Sequence, residues 1–519
     1  MKNKNFYITT AIPYVNAQPH LGHCLEYCQA DVLARYYRIR GKKVFFLTGS
    51  DENSLKNVQS AEKASLGVKA FVDKQVEAFI KILQDLEISN DDFIRTTEKR
   101  HILGAQKLWQ ACQRDIYKKK YKGLYCVGCE EFKKEKDLKN GKCPEHPNQK
   151  LEIIEEENYF FALSKYEKTL YQILKNDEYQ IFPKERKKEA LSFINQGLED
   201  FSISRSYKRA KGWGIPVPGD EAQIMYVWFD ALANYLTGVG YGWDEKKFQE
   251  NWPADIHIVG KGILKFHAIY WPAMLLSAGL PLPRKLFVHS YLTVGGQKMS
   301  KSLGNVIEPQ SLINTYSEEV LRYFLLACLP SSKDGDFSEN LLKERYNNDL
   351  ADGIGNLVSR TLTMLEKYYN GKIPFINLND FDFIPPQLGI KNFRIFFEEI
   401  WPVYFEYLEN FSFDKAFDII NKIVQISNRY IDFAKPWELF KINRKKELDA
   451  VLYNLVGALR SISVLVYPFM PQTANLIRIQ FGFKKINEKK FNFEKEMEWN
   501  QKYNNKIQKN KILFPKIKD

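Results

Sequence analysis

The chain has 519 residues, and at roughly 100–200 residues per domain it divides into three or four domains, each able to bury its own core. Hydrophobic residues make up 45% and charged residues 27%, the balance of a soluble globular protein and not of a membrane-embedded one. Lysine plus arginine (76) exceed aspartate plus glutamate (63), and the formal charge of +13 favours a polyanionic partner such as a nucleic acid, unless it reflects a proteome rich in Lys and Asn.

The start, Met1-Lys2-Asn3-Lys4-Asn5, runs straight into a strand-like stretch. That leaves no room for a removable leader, so a cytoplasmic protein is expected. The stretch Phe6-Tyr7-Ile8-Thr9-Thr10-Ala11 ends at Pro13, and a polar turn then leads to His20 and to helically spaced apolar positions over 25–37, closed by Gly41. A second apolar run, 43–49, delivers Ser50-Asp51-Glu52 at its carboxyl end. Strand, helix, strand is the unit of a doubly wound parallel sheet, whose ligands sit beyond the carboxyl ends of the strands. Runs at 255–261 and 286–290 repeat the pattern and end near polar or Gly-rich loops.

Between these halves, 116–219 carries lysine runs, a cysteine cluster and mixed strand and helix signals, and reads as an insertion into the sheet. Beyond about 340 the strand signals fade and long amphipathic helices take over, as at 414–433 and 446–465. The apolar stretch 451–471 contains Asn454, Arg460 and two serines, so it reads as a buried helix and not as a membrane span. The expected division is an α/β domain in two halves, 1–115 and 220–297, an insertion at 116–219, a loop and connecting region at 298–345, and a helix bundle at 346–519.

Two strings carry chemistry. In His20-Leu21-Gly22-His23 the two imidazoles share one face at a helix start, where unpaired N–H groups and the helix dipole favour an anion. Gly22 lets a nucleotide approach the backbone without a Cβ in the way. Lys298-Met299-Ser300-Lys301-Ser302 follows Gly295-Gly296, a setting in which a loop can close over a leaving pyrophosphate while its lysines stabilise charge on the β and γ phosphates. Together they suggest an adenylate-forming enzyme that handles ATP. Of the seven cysteines, Cys24, Cys28, Cys112 and Cys328 are scattered singly, Cys24 and Cys28 reading as small buried residues, so no disulfide framework is expected. Cys126, Cys129, Cys143 and His146 form C-x2-C and C-x2-H, four ligands for a tetrahedral structural Zn²⁺ with no open position.

The two phosphate strings resemble the HIGH and KMSKS motifs of class I aminoacyl-tRNA synthetases. Further strings, in the same order, resemble the methionyl-tRNA synthetases along essentially the whole chain: Ala11-Ile12-Pro13-Tyr14, Thr48-Gly49-Ser50-Asp51-Glu52, Gly197 through Arg205, Tyr226-Val227-Trp228-Phe229-Asp230-Ala231, and Phe266-His267 through Ala273. The stretch from His23 to Lys298 is too short for the large editing domain of the isoleucine, valine and leucine enzymes. The cysteine enzyme fits that length better, but it would place a zinc ligand in the amino-acid pocket, where this chain has aromatic and apolar residues. The resemblance implies a Rossmann-like catalytic domain with an inserted zinc-containing domain, followed by an all-α anticodon-binding domain.

It implies further a pocket for methionine, an unbranched thioether suited to aromatic walls. Tyr14, Trp228, Ala231, Phe266 and Trp271 are the implied walls, with the Ile12 N–H, the Tyr235 hydroxyl and His267 near sulfur, and Asp51 accepting the substrate ammonium. His20 and His23 would stabilise the α-phosphate, Lys298 and Lys301 the leaving pyrophosphate with Mg²⁺ sharing its charge, and Gly22 and Gly260 would lie against ATP. Asn356, Arg360 and Trp437 fall at the positions that read the anticodon of tRNA(Met), by edge hydrogen bonds and stacking. Where the family usually has an acidic residue after Gly-Lys, this chain has Gly262, which puts nucleotide affinity in doubt. The ending Leu513-Phe514-Pro515-Lys516-Ile517 resembles the close of the family's core, and a monomer is expected. Two alternatives stay open: a nucleotidyltransferase acting without tRNA, and an inactive tRNA-binding paralogue.

Overall fold

The first two strands, β1 (Phe6–Thr10) and β2 (Val44–Ser50), are buried along nearly their whole length. Their runs of Phe, Tyr, Ile, Val and Thr accordingly show little polar–apolar alternation, as expected of strands covered on both faces. In the computed structural model, which describes residues 5–126, 131–133, 135, 138–144, 148–298, 306–503, 506–508 and 512–518, they join β3 (Asp92–Arg95), β4 (Gln180–Phe182), β5 (Ile256–Gly260) and β6 (Lys285–His289). The strand order is β3-β2-β1-β5-β6-β4. β1 runs parallel to β5 with Ile8 opposite Ile256, β2 to β3 with Leu47 opposite Asp92, and β6 to β4 with Leu286 opposite Ile181. The chain leaves β1 on one side to form β2 and β3 and returns on the other as β5 and β6. The carboxyl ends of β1, β2 and β5 thus meet where the strand order reverses, the place at which doubly wound sheets bind ligands.

The chain forms two compact units. The first comprises Met1–Pro19, Phe45–Ile82 and Asn90–Val288 and holds this sheet. Inside it the segment expected as an insertion builds an antiparallel ribbon, Ile116–Cys126 against Glu152–Phe161, flanked by Glu131–Lys133 and Phe201–Ser202. Lys120 lies opposite Glu157 and Lys122 opposite Glu155, so the lysine run faces a glutamate run and the cross-strand charges offset one another. The chain then returns to the central sheet as the edge strand β4 before Ser204–Ser206, Pro216–Val217 and Asp220–Met225 form a small sheet.

The second unit comprises His20–Val44, Leu83–Ser89 and His289–Asp519. It contains helix α1 (Leu21–Ile39), a three-stranded sheet of Gln297–Lys298, Leu292–Val294 and Gly335–Phe337, and the helices Asn356–Tyr369, Phe393–Glu409, Phe413–Ala434, Pro436–Lys441, Lys445–Val466 and Pro471–Gln480. Lys445–Val466 is, among the described residues, the one helix long and apolar enough to cross a membrane, yet 94% of its most apolar window is buried inside the protein. Its polar residues find partners in part: Asn454 donates to Asp382 Oδ1 at 2.7 Å and Arg460 Nη2 to the Glu498 carbonyl, while Arg460 Nε and Nη1 and the Ser461 hydroxyl have no hydrogen-bond partner among the described residues.

A buried ionic hub ties α1 into this unit. The Asp31 carboxylate accepts from the Ser89 N–H (2.7 Å) and hydroxyl (2.5 Å), from Arg35 Nε (2.7 Å) and from Arg322 Nη2 (2.7 Å). Arg322, fully buried, also donates to the carbonyls of Phe469 (2.8 Å), Leu86 (3.0 Å) and Pro468 (3.1 Å).

Candidate active site

Helix α1 begins with a reciprocal cap made of two histidines. The Gly22 N–H donates to His20 Nδ1 at 3.1 Å, and the His20 N–H donates to His23 Nδ1 at 3.1 Å. The rings stack with centroids 3.9 Å apart and 16° between planes. Burial, with His20 and then His289 beside it, holds the His23 imidazole well below its ordinary pKa, so it is neutral at pH 7. A backbone N–H can only donate, so each Nδ1 is an acceptor and each Nε2 of the neutral ring carries the proton. The helix start therefore presents two Nε2–H donors in addition to its own N–H groups and dipole. Gly22 is required by the cap itself: a Cβ there would sit 2.9 Å from His20 Cε1.

The second phosphate motif follows β6. Gly295 and Gly296 both have positive φ, 60° and 73°, as a two-residue hairpin turn demands, and they bring Gln297 and Lys298 back alongside Val294 and Thr293. Asp336 on the neighbouring strand accepts from the Gly296 N–H (2.8 Å) and the Thr293 hydroxyl (2.6 Å) and anchors the turn. Lys298 ends this hairpin; Lys301 lies outside the described residues. His289, which pattern reading left unassigned, contacts Glu26 Oε2 through Nε2 at 2.8 Å and so links the strand leading to this hairpin with α1.

In the first unit the residues expected to hold an amino acid fall into two groups. Tyr14 and Asp51 form a parallel bridge beyond β1 and β2, with the Asp51 N–H donating to the Pro13 carbonyl at 2.9 Å. Asp51 is buried and Ile12 packs against the central core. The second group is continuous. Trp228 stacks on Phe266 at 3.8 Å and 7°, and meets His267 edge-on at 6.3 Å. Tyr235 contacts His267 at 5.7 Å and Trp271 at 5.8 Å, while Ala231 is buried one turn after Trp228. Pro272, lacking an N–H, follows a widened turn at Phe266–Tyr270, the kind of π-helical step often found at functional sites. Gly260 closes β5 and Gly262 is exposed in the turn after it.

The tautomer of His267 follows from its neighbours. Nδ1 lies 2.9 Å from the Ile263 carbonyl, which can only accept, so Nδ1 carries the proton and Nε2 accepts from the Tyr235 hydroxyl at 2.7 Å. Burial pushes its pKa down to about 4, and His257, fully buried between Thr9 (2.6 Å) and Trp271 Nε1 (3.3 Å), is also pushed well down by burial. An unfolded imidazole titrates near 6.5, so between pH 6.5 and 4 the unfolded chain binds more protons than the folded one. Stability is fully present above about pH 6.5 and falls as the pH drops, with His267 alone accounting for on the order of 3 kcal/mol. Urea unfolding at pH 7.5 and 5.0 should give a clearly lower midpoint at pH 5.0; equal midpoints would contradict neutral burial.

Sequence reasoning missed a polar chain that runs through Asp230, beside Ala231 on the same helix. Asn53 donates to Asp230 Oδ2 at 2.7 Å, His101 Nε2 contacts Asp230 Oδ1 at 2.7 Å, and His101 Nδ1 contacts the Thr237 hydroxyl at 2.8 Å. The signal was present: an aspartate inside the apolar helix Val227–Leu232 must find partners when buried.

Elsewhere, Cys126 and Cys143 are fully buried, whereas Cys129 and His146 lie outside the described residues. Among the described residues there is no cluster of three or more potential metal ligands. Asn356 and Arg360 lie one turn apart on Asn356–Tyr369, Arg360 pairs with Asp432 at 2.6 Å, and Trp437, 40% exposed, follows Pro436 at the start of its helix.

Comparison with known proteins finds relatives along nearly the whole chain. A family model described as class I tRNA synthetases (M) matches residues 6–152 and 146–362, and one described as the anticodon binding domain of methionyl tRNA ligase matches 397–519. The chain is 40% identical over 492 residues to the methionine–tRNA ligase of Thermotoga maritima, covering 93% of this chain and 76% of that protein. It is 41% identical over 519 residues to that of Caldanaerobacter subterraneus subsp. tengcongensis, covering 99% and 79%. The solved structure of Mycobacterium tuberculosis methionyl-tRNA synthetase in complex with methionyl-adenylate superposes with a TM-score of 0.92 at 34% identity, covering 99% of this chain and 100% of that one.

Proposed function

The chain belongs to the methionyl-tRNA synthetase family of class I aminoacyl-tRNA synthetases, and from that premise we propose how its own residues perform the two steps of methionine–tRNA ligation. In the first, a methionine carboxylate oxygen attacks the α-phosphorus of ATP; the bond from that phosphorus to the bridging oxygen breaks, releasing pyrophosphate and leaving methionyl-adenylate. In the second, a ribose hydroxyl of the terminal adenosine of tRNA(Met) attacks the methionyl carbonyl and AMP leaves. Both steps depend on positioning and charge stabilisation more than on covalent chemistry by the protein.

The observation that carries the reading is the double-histidine cap with both Nε2–H groups set as donors. His20 and His23 stabilise charge building on the α-phosphate, with Gly22 and Gly260 lining the nucleotide, and Lys298 and Lys301 receive the leaving pyrophosphate. The Mg²⁺ that accompanies ATP enters as part of the substrate. Asp51 accepts the substrate ammonium. Tyr14, Trp228, Ala231, Phe266 and Trp271 enclose the thioether, and His267, by taking the Tyr235 hydrogen, turns the hydroxyl oxygen's lone pairs elsewhere and fixes its orientation beside Ile12. Asn356, Arg360 and Trp437 read the anticodon.

A structural Zn²⁺ fits what is described of its donor set, since two of the four ligands, Cys126 and Cys143, are thiols withdrawn from water at the end of a strand and just past a bridged turn. Cys126, Cys129, Cys143 and His146 would hold it, and the metal would supply folding energy to the ribbon, not chemistry. A cytoplasmic, monomeric enzyme completes the proposal.

Methionine-dependent exchange between ATP and pyrophosphate tests it. Exchange with methionine, and a strong loss in Lys301→Ala with methionine binding nearly intact, are expected. Exchange with another amino acid, or with none, would overturn the substrate assignment, and absent exchange with tRNA still bound would mark an inactive paralogue.

A further inference from the structure

The stretch from Phe433 to Lys446 holds out three aromatic side chains, Phe433 at 40%, Trp437 at 40% and Phe440 at 49% exposure. The same stretch carries five cationic side chains, Lys435, Lys441, Arg444, Lys445 and Lys446, against one acidic one, Glu438. Core packing does not account for the aromatics, because the short helix Pro436–Lys441 buries Pro436 and Leu439 instead. Trp437 and Phe440 are three residues apart, hence on neighbouring positions of one side of the helix and about 5 Å apart along its axis.

Phe440 does not stand alone. Its ring stacks on Tyr368 with centroids 4.5 Å apart and 23° between planes, and Lys367 Nζ lies 5.6 Å from the Tyr368 ring centre. Tyr368 sits near the end of Asn356–Tyr369, the helix that also bears Asn356 and Arg360. Lys367 is two turns beyond Arg360 and shares its face. The stacked pair therefore joins the two helices that carry the residues assigned to the anticodon.

We propose that Tyr368 and Phe440 form a second stacking platform, which takes an unpaired base of the tRNA anticodon loop adjacent to the base taken by Trp437. The proposal rests on the reading of Asn356, Arg360 and Trp437 as anticodon-binding residues. A nucleobase offers a π-face whatever its identity, so stacking on an exposed ring is tolerant of sequence. The surrounding lysines suit the phosphates that connect successive loop nucleotides. A protein partner fits the patch poorly, since the centre of a protein interface is depleted in charge and this one is interleaved with cations.

The test uses the full-length protein and an anticodon stem-loop RNA, intact and with each loop base removed in turn. Wild-type protein should bind one of the abasic RNAs roughly tenfold more weakly than the intact loop. Phe440→Ala and Phe440→Leu should bind the intact RNA more weakly by a similar factor and lose nothing further with that same abasic RNA. Trp437→Ala should show the same non-additivity at a neighbouring loop position. Phe440→Leu keeps the apolar bulk, so a thermal midpoint like that of wild type separates lost stacking from lost folding. If the Phe440 variants lose affinity for every abasic RNA in the same proportion as wild type, or fall only in thermal midpoint, the platform is refuted. If instead Trp437→Ala is uncoupled from every loop position while Phe440 is coupled, the anticodon role of Trp437 fails and the platform stands.

Discussion

Substitution of His23 by asparagine should lower methionine-dependent pyrophosphate exchange by about 10²- to 10³-fold, the usual cost of removing one preorganised donor to a charge-bearing oxygen, while leaving the fold intact. The two nitrogens of this ring do different work. Nδ1 accepts the His20 N–H at 3.1 Å and completes the helix cap; Nε2–H is the donor proposed above for phosphate. Asparagine can reproduce the acceptor through Oδ1 but places no donor where Nε2 was. His23→Ala loses both, so it should match the asparagine variant in activity and in addition lose about 1 kcal/mol of stability, as capping residues do when truncated. Urea unfolding and exchange kinetics measured on the same samples check the pair. Full activity in His23→Asn would remove His23 from the chemistry and leave it a capping residue.

The largest stability effect is expected at Arg322. Arg322→Met should cost about 3–5 kcal/mol, because it strands a buried carboxylate that had been balanced by the missing guanidinium. Burial alone would raise the Asp31 pKa; Arg35 and Arg322 outweigh it and hold the carboxyl well below the usual carboxylate range. A carboxyl with a depressed folded pKa contributes stability above its unfolded value, near 4, and loses that contribution as the pH falls below it. In the variant this acid sensitivity should shrink. The double variant Asp31→Asn with Arg322→Met should recover only part of the loss, since the carbonyls of Leu86, Pro468 and Phe469 still miss their donors. A change below about 1 kcal/mol in Arg322→Met would show that Arg35 and Ser89 suffice to hold Asp31.

How much of this was legible in the residues depended on how local each feature is. The helices expected at 25–37, 414–433 and 446–465 are found at Leu21–Ile39, Phe413–Ala434 and Lys445–Val466, because a 3.6-residue period sustained over several turns is hard to mistake. β4 could not be read: three residues, Gln180–Phe182, have no period, and only pairing with β6 makes them a strand. The polar chain through Asp230 joins residues 129 and 177 positions apart, a separation at which no spacing rule operates. Gly22 has a second requirement that the sequence did not show, since a Cβ there would also meet the His20 ring. The family itself was recognisable from the order of the motif strings, which carried more information than any one of them.

The position of β1 in the sheet has a consequence for the making of the protein. One side of β1 is completed by β2, which follows soon after it, but the other side waits for β5 at Ile256–Gly260. At about 5–20 residues per second, the roughly 250 residues from Thr10 to Gly260 take on the order of ten to fifty seconds to emerge from the ribosome. During that interval Ile8 and its neighbours present an open, apolar strand edge to the cell, the kind of surface on which chains pair wrongly. The strand in the middle of this sheet is thus the first of its strands to be synthesised and among the last to be closed, and nascent chains of this enzyme should be most exposed to aggregation, and most dependent on chaperones, until residue 260 has left the exit tunnel.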